Sequence, residues 1–527
     1  MSEIFISKYN SIYFKITSTD TSVLNAISNH FAIFKPGAQF SPRFRNKIWD
    51  GKVRFFDRAK GALPIGLWNI LLNYCEANNI KYTFNFDVKK TFNNPDVITR
   101  KKAKLFMDML DEQQEFKSHP FQVESLYKGI NHKRGIIRIS MGGGKSYIQY
   151  ATVRYLLASG EAKKVLLIVP NKGLVNQMYG DMKSYNWKDI DNNVDVLSSE
   201  IPAKERKRIN DNFDKKLLIT TWQSITKKSA DWLNQFNAVL TDESHGNAAT
   251  SLKNILSKMS CTYKLGYTGT LHNASEDKVG LYTVFAYLGP VLVDISAKEL
   301  EDMNLTSKLF IKSLIIKYPE EIKKYGRSRE FANEMEYIET LEHRTNVIKP
   351  QVESLWKTKE LTDANVIVLV KKIDHLKETV SKLKSLFPDS EVSLIYGGVS
   401  AKERDKIRAK VEKSKRAILV ATYATVSTGF NIKNLQIGFF LSSYKSKFKV
   451  LQSIGRGLRK VKNGVNKFFL FDIVDDFREI NKNGVLNDRT ANHAYKHYIK
   501  RQLHYKKEKY DWQEQNIKYS ELAKINN

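Results

Sequence analysis

Two short segments far apart in the chain carry residue types suited to handling a triphosphate: Ser140-Met-Gly-Gly-Gly-Lys-Ser146 and Gln452-Ser-Ile-Gly-Arg-Gly-Leu-Arg459. The first follows an apolar run, Ile136 to Ile139, and precedes a predicted helix. Backbone N–H groups and the helix N-terminus would then face phosphate oxygens. Gly142, Gly143 and Gly144 permit close backbone approach. Lys145 would reach the β- and γ-phosphates, and the Ser146 hydroxyl would ligate Mg²⁺. The full phosphate-loop pattern wants Gly at position 139, where Ile139 stands, so a Gly-rich turn with an unrelated Lys is the competing reading. In the second segment Arg456 and Arg459 fall one turn apart on one face of a predicted helix. That spacing suits guanidinium groups reaching a phosphate from another domain. Together the segments predict a nucleotide held between two lobes.

A carboxylate pair supports the first reading. Asp242-Glu243-Ser244-His245 closes the apolar run Ala238–Thr241, about a hundred residues after the loop. Adjacent carboxylates at a strand end can divide the work: Asp242 holds Mg²⁺ largely through water, and Glu243 orients and deprotonates the attacking water. Gln122, upstream of the loop, is placed to read an adenine edge, or is a surface amide. Asn171, Thr221 and Gln223 lie where two strands end, and offer amide and hydroxyl contacts to a nucleic-acid backbone, or make ordinary strand-to-helix turns. Thr268 and Thr270 follow the last strand of this group, where hydroxyls would link the nucleotide site to the opposite lobe.

These residues need strand ends to hold them. Short apolar, β-branched runs recur at Ile136–Ile139, Val165–Val169, Leu217–Thr221, Ala238–Thr241 and Tyr263–Tyr267. After a charged, helical stretch over 318–360 they resume at Val366–Val370, Val392–Ile395, Ala417–Ala421, Ile437–Leu441 and Phe468–Ile473. Runs of this kind alternating with helices predict an α/β chain with two parallel sheets, whose ligands bind beyond the carboxyl ends of the strands. Residues 1–98 differ, mixing strands at Ile12–Ile16, Val53–Phe56 and Tyr82–Phe86 with a helix over Leu67–Asn78. We therefore expect an N-terminal α+β module (1–98), a first lobe (99–295), a second lobe (296–480) and a basic helical tail (481–527).

At 527 residues several cores are expected, and 42% hydrophobic with 27% charged residues is the composition of a folded, soluble protein. The net charge of +30 favours a polyanionic partner. Two cysteines, Cys75 and Cys261, give neither a disulfide framework nor metal-ligand spacing, which points to a reducing cytoplasm. The N-terminus lacks a secretory pattern, and no apolar run approaches the roughly 20 residues that span a bilayer. In the N-terminal module Arg43, Arg45, Lys47, Lys52 and Arg54 cluster with Phe44, Trp49 and Phe55. This is phosphate-binding charge beside stacking surface, or else aromatic core with solvated charges around it. In Tyr495–Tyr510 the aromatics are expected to dock a helix on the second lobe and the Lys and Arg residues to attract DNA.

Taken in order, SMGGGKS, VPNKGLVNQ, TTWQS, DESH, TGT and QSIGRGLR resemble the motif series of superfamily 2 helicases of the DExH type, over residues 118–475. The resemblance implies two RecA-like lobes that close on ATP and step along nucleic acid. It implies that His245, with Thr268 and Thr270, couples hydrolysis to movement. It also implies that Thr422, Gly429 and Asn431 contact nucleic acid and sense the nucleotide, and that Arg456 and Arg459 are arginine fingers, with Gln452 nearby. Met141 and Gly142 depart from the Thr-Gly common in the superfamily. Phe40-Ser-Pro-Arg-Phe-Arg45, Trp49-Asp-Gly-Lys52 and Leu63-Pro-Ile-Gly-Leu67 are further similar to recombination helicases of tailed bacteriophages. The enzyme implied by this resemblance is an ATP- and Mg²⁺-dependent DNA helicase of recombination, repair and replication. It would act on forks, Holliday junctions and R-loops (where RNA is also a partner), in a host cytoplasm, with a monomer favoured and no membrane partner. The rivals are an RNA-directed helicase, the motor of a restriction system, and an ATP-switched nucleic-acid clamp that does not unwind.

Overall fold

A run such as Val165-Leu-Leu-Ile-Val169 has no polar side to offer water, so it can be stable only as a central strand covered on both faces. The computed structural model describes residues 3–85, 97–243, 248–271, 274–327, 330–427, 435–443, 466–481 and 484–526, and in it such runs form two seven-stranded sheets. The chain divides into two compact units, the second beginning at Ser296 and also taking in Met141–Gly143.

In the first unit the strand order is Val291–Ile295, Arg134–Ile139, Tyr263–Thr268, Ala238–Asp242, Val165–Val169, Leu217–Thr221, Val194–Leu197. Every pairing is parallel. All carboxyl ends therefore reach the same edge, which brings Ile139, Val169, Thr221, Asp242 and Thr268 to one side of the sheet. The five predicted strands are present to within two residues, and Val194–Leu197 and Val291–Ile295 are added as the two edges.

The N-terminal segment folds as a four-stranded sheet, ordered Ala62–Pro64, Tyr13–Thr17, Glu3–Lys8, Lys81–Phe84, with helices Thr21–His30 and Trp68–Ala77 and a separate hairpin of Ala32–Phe34 with Lys52–Arg54. Its core (Ile4, Phe14, Ile27, Phe31, Leu63, Leu71) is continuous with that of the first parallel sheet. The join is tight at Gly66, where a Cβ would stand 1.9 Å from the Phe285 carbonyl oxygen of helix Ala274–Leu288.

In the second unit the order is Val392–Ile395, Ile418–Thr422, Asn365–Val370, Leu435–Phe440, Lys467–Asp476, Lys308–Lys317, Asp511–Lys518, again parallel throughout. Alternate residues feed two cores: Val366, Val368 and Val370 face one, Ile367 and Leu369 the other. The charged stretch over 318–360 forms helices Glu320–Arg327, Phe331–Thr340 and Ile348–Trp356. Because Lys308–Lys317 already belongs to this sheet, these helices extend the second lobe rather than bridge to it.

The terminal segment departs from the helical expectation. Helix His493–Lys507 is followed by Asp511–Lys518, which pairs parallel to Lys308–Lys317 as the sheet's edge. Tyr498 and Tyr505 are fully buried, as expected of docking residues. Arg501 corrects the expectation of DNA attraction. Its guanidinium is buried and bidentate on Asp472, with both bonds at 2.8 Å, and Tyr505 donates to the same carboxylate at 3.0 Å. Removing one partner strands a buried charge, a loss of about 3–5 kcal/mol. Arg501→Met should destabilise the second unit by that order in urea titration, whereas Lys496→Met, at an exposed position of the same helix, should leave the transition in place.

Candidate active site

Strand Arg134–Ile139 delivers the chain to the glycine loop, in which Gly142 and Gly144 take φ of +89° and +75°. Gly144 is the N-cap of helix Lys145–Ala158 and accepts from the N–H groups of Tyr147 and Ile148. A side chain at Gly144 is excluded both by the left-handed backbone and by Gln122 Nε2, 2.5 Å from where a Cβ would stand. Lys145 Nζ donates to the Ile139 carbonyl at 3.1 Å and lies 4.0 Å from Glu243 Oε1.

Side chains adjacent in a strand point to opposite faces, but Asp242 and Glu243 do not behave so. Glu243 turns into the left-handed region at φ +49°, its N–H held by the Tyr267 carbonyl at 2.8 Å. A non-glycine residue in that region is held there by its surroundings. Both carboxylates consequently meet one helix: Glu243 at Lys145, and Asp242 at Gln149 one turn on, whose Nε2 donates to Asp242 Oδ1 at 2.9 Å. Thr268 Oγ1 stands 3.2 Å from Glu243 Oε2 and 2.7 Å from the Thr270 carbonyl oxygen, joining the carboxylate to the next loop.

Burial, and then the charge of Glu243, push the Asp242 carboxyl up to about 7, against the pull of Lys145 and Gln149. Two carboxylates facing a single ammonium leave negative charge uncompensated. The donors are oxygens, the Ser146 hydroxyl and the two carboxylates. Among the described residues no cluster of three or more His, Cys, Asp or Glu forms a closed metal cage. Such a set suits Mg²⁺, which keeps several waters and binds through one or two carboxylates together with substrate phosphates. Ser146 and Asp242 would hold it.

The remaining predicted residues separate by placement. Gln122 is buried; its oxygen accepts from the His119 N–H at 2.9 Å and its amide nitrogen lies against Gly144, so it braces the loop. Asn171 caps helix Lys172–Ser184 by accepting from the Leu174 N–H at 3.0 Å. Thr221 is buried with its hydroxyl 3.0 Å from that of Ser224, and Gln223 is exposed beside the Pro170 carbonyl. In the second unit Thr422 repeats the Thr221 arrangement at the end of its own strand, 2.8 Å from the Thr425 hydroxyl. Thr270 Oγ1 is buried and has no hydrogen-bond partner among the described residues. His245, Gly429, Asn431, Gln452, Arg456 and Arg459 lie outside the described residues. Sequence reasoning missed Gln149, although its spacing from Lys145 and Ser146 was a usable signal.

The N-terminal hairpin divides the expected aromatic cluster: Phe55 packs against the module's core, and Phe44 and Trp49 do not. Phe34, Phe40 and Ile48 are exposed, at 46%, 69% and 68%, and Phe44 and Trp49 are half-buried and outside the module's core. Arg43, Arg45, Lys47 and Lys52 are exposed around them. The loop is nevertheless shaped: Trp49 Nε1 donates to the Lys52 carbonyl at 2.9 Å, and Gly51 at φ +76° admits the Phe34 ring. Arg54 is bound to Asp50.

Three family models match in sequence: "DNA helicase UvsW, N-terminal" over residues 5–87, "Type III restriction enzyme, res subunit" over 106–273, and "Helicase conserved C-terminal domain" over 350–461. The ATP-dependent DNA helicase uvsW of Enterobacteria phage T4 is 26% identical over 500 residues, 94% of this chain and 95% of that protein. The crystal structure of T4 UvsW superposes with a TM-score of 0.50 at 25% identity, covering 98% of this chain and all of the other. The DNA 3'-5' translocase XPB2 of Sulfurisphaera tokodaii is 22% identical over 64% of this chain and 78% of its own length. With two parallel α/β sheets and an Asp-Glu pair set against Lys145, the chain is similar to superfamily 2 helicases and, over nearly its whole length, to UvsW of phage T4.

Proposed function

We propose that the chain is an ATP- and Mg²⁺-dependent DNA helicase and translocase that remodels branched DNA, namely forks, Holliday junctions and R-loops, in phage recombination, repair and replication. The observation that carries the enzymatic part is the convergence of Lys145, Asp242 and Glu243 on one helix end beside the glycine loop. The similarity to T4 UvsW over 94% of the chain supports DNA rather than RNA as the track.

Lys145 and the N-terminus of its helix would bind the phosphates, placing positive charge where the leaving oxygen develops negative charge. Mg²⁺, held through Ser146 and Asp242, would neutralise charge on the phosphate oxygens. Glu243 would orient the attacking water and accept its proton, its carboxylate kept in place by Thr268 and by the left-handed turn. Because Thr268 also touches Thr270, a change at Glu243 during turnover is passed directly to the following loop. Arg456 and Arg459 are proposed as the arginine fingers, and His245, Gly429 and Asn431 as coupling residues. The exposed hairpin residues Arg43, Arg45, Trp49 and Lys52 are proposed as DNA contacts, the cations on phosphates and the aromatic surface on unstacked bases at a junction.

ATP hydrolysis measured side by side with fork DNA, linear duplex, single strand and RNA tests this reading. Strongest stimulation by the fork is expected, with strand displacement on the same substrate. Stimulation by RNA alone would sink the DNA assignment, and binding of fork DNA without turnover would favour the clamp. Lys145→Ala should abolish DNA-stimulated hydrolysis while leaving DNA affinity largely intact; retained hydrolysis would refute the site. Arg459→Ala should still bind nucleotide but turn over on the order of 10³–10⁵ more slowly. Replacing Arg43, Arg45 and Lys52 together by Ala should shallow the salt dependence of fork binding by about one log-log unit per lost phosphate contact, with DNA-free ATP binding unaltered.

A further inference from the structure

One polar side chain at this site has no role among the motif residues. Gln149 is wholly buried in helix Lys145–Ala158, four residues past Lys145 and three past Ser146, so the three share a helix face. Its Nε2 donates to Asp242 Oδ1 at 2.9 Å. Its Oε1 is buried with no hydrogen-bond partner among the described residues. An amide half satisfied in this way is destabilising in the protein alone. If packing were its only task, Met or Leu would fill the same space without that cost.

The two halves of the amide together suggest the task. A carboxylate that helps bind a cation must be held by a donor, and the waters of a cation's shell are themselves strong donors that need acceptors. A neutral primary amide meets both needs in one side chain and adds no charge to a site that already carries two carboxylates. Asp, Glu, Lys or Arg at this position would supply only one half.

We propose that Gln149 is a positioning residue for the Mg²⁺ that accompanies the nucleotide: Nε2 fixes the Asp242 carboxylate, and Oε1 accepts a hydrogen bond from a water of the cation's shell. The inference rests on the reading of this site as the ATP site. Outer-shell partners of this kind are worth about 10–100-fold in metal affinity.

The test is binding of a fluorescent, non-hydrolysable ATP analogue to the full chain, titrated with Mg²⁺ and repeated in EDTA. In Gln149→Met the half-saturating Mg²⁺ should rise about tenfold or more, while affinity for the metal-free analogue stays within about twofold of the parent. Excess Mg²⁺ should then restore DNA-stimulated hydrolysis. Gln149→Asn keeps an amide but withdraws it by one methylene, so it should shift Mg²⁺ dependence in the same direction; it carries the comparison if the Met variant melts early. An unchanged Mg²⁺ midpoint in a folded variant would overturn the proposal. So would a metal-free affinity falling by the same factor as the Mg²⁺-bound one. A parent that binds no analogue, or binds it without regard to Mg²⁺, would instead remove the ATP-site reading itself.

Discussion

Two carboxylates adjacent in sequence and turned onto the same helix repel each other, and the first unit is organised around that repulsion. The left-handed backbone at Glu243 creates the problem by breaking the alternation of the strand. Lys145, Gln149 and Thr268 contain it without cancelling it. The second unit shows what cancellation looks like. Its strand Lys467–Asp476 buries Asp472, Asp475 and Asp476, and each has a guanidinium partner: Arg501, Arg344 and Arg478. Burial raises the Asp476 carboxyl, yet Arg478 and Lys317 hold it below the usual carboxylate range, whereas Asp242 is pushed up to about 7. Matched charges build a fixed core; the mismatched pair leaves negative charge uncompensated, which is what the proposed Mg²⁺ role requires.

The same contrast explains what each sheet is for. In both units parallel pairing gathers the carboxyl ends of the strands at one edge, and in both a Thr at a strand end shares its hydroxyl with a residue three further on, Thr221 with Ser224 and Thr422 with Thr425. These hydroxyl pairs, buried at Thr221, Thr422 and Thr425 and half-buried at Ser224, pin the start of the following helix and set the direction of the turn. Their burial makes them positioning elements for the exposed residues beside them, Gln223 in the first unit among them.

Most of this was legible in the sequence because central parallel strands are written as unbroken apolar runs. The edges were not. Asp511–Lys518 buries only Ile517 and otherwise reads as a polar loop; it is a strand because Lys308–Lys317 offers it a partner. Val194–Leu197 and Val291–Ile295 are short and stand at the other sheet's edges. Arg501 looked like its basic neighbours, although Tyr498, Arg501 and Tyr505 follow the three-and-four spacing of one helix face, and that face is buried. Gln122 was legible as belonging to the site, but composition cannot say that its oxygen is already taken by His119. Net charge, similarly, announced a polyanion without separating the cations that face solvent from those that close the core.

The N-terminal module adds a constraint that connects surface to site. It is not hung on a linker: Gly66 lies against the carbonyl of Phe285, Phe31 and Phe55 pack on Tyr282, and Arg134 donates to the Ser11 carbonyl at 2.6 Å. Tyr282 and Phe285 belong to helix Ala274–Leu288, which comes after the Thr268–Thr270 loop, and Arg134 opens the strand that ends at the glycine loop. The hairpin is thus carried by the strand that leads to the glycine loop and the helix that follows the Thr268–Thr270 loop. A residue that fits only as Gly at position 66 leaves the joint no slack, since a methyl group there would force the module off its helix. Arg43, Arg45 and Trp49, proposed above as DNA contacts, are therefore joined through a packed core, not a linker, to the unit that carries Lys145 and Glu243.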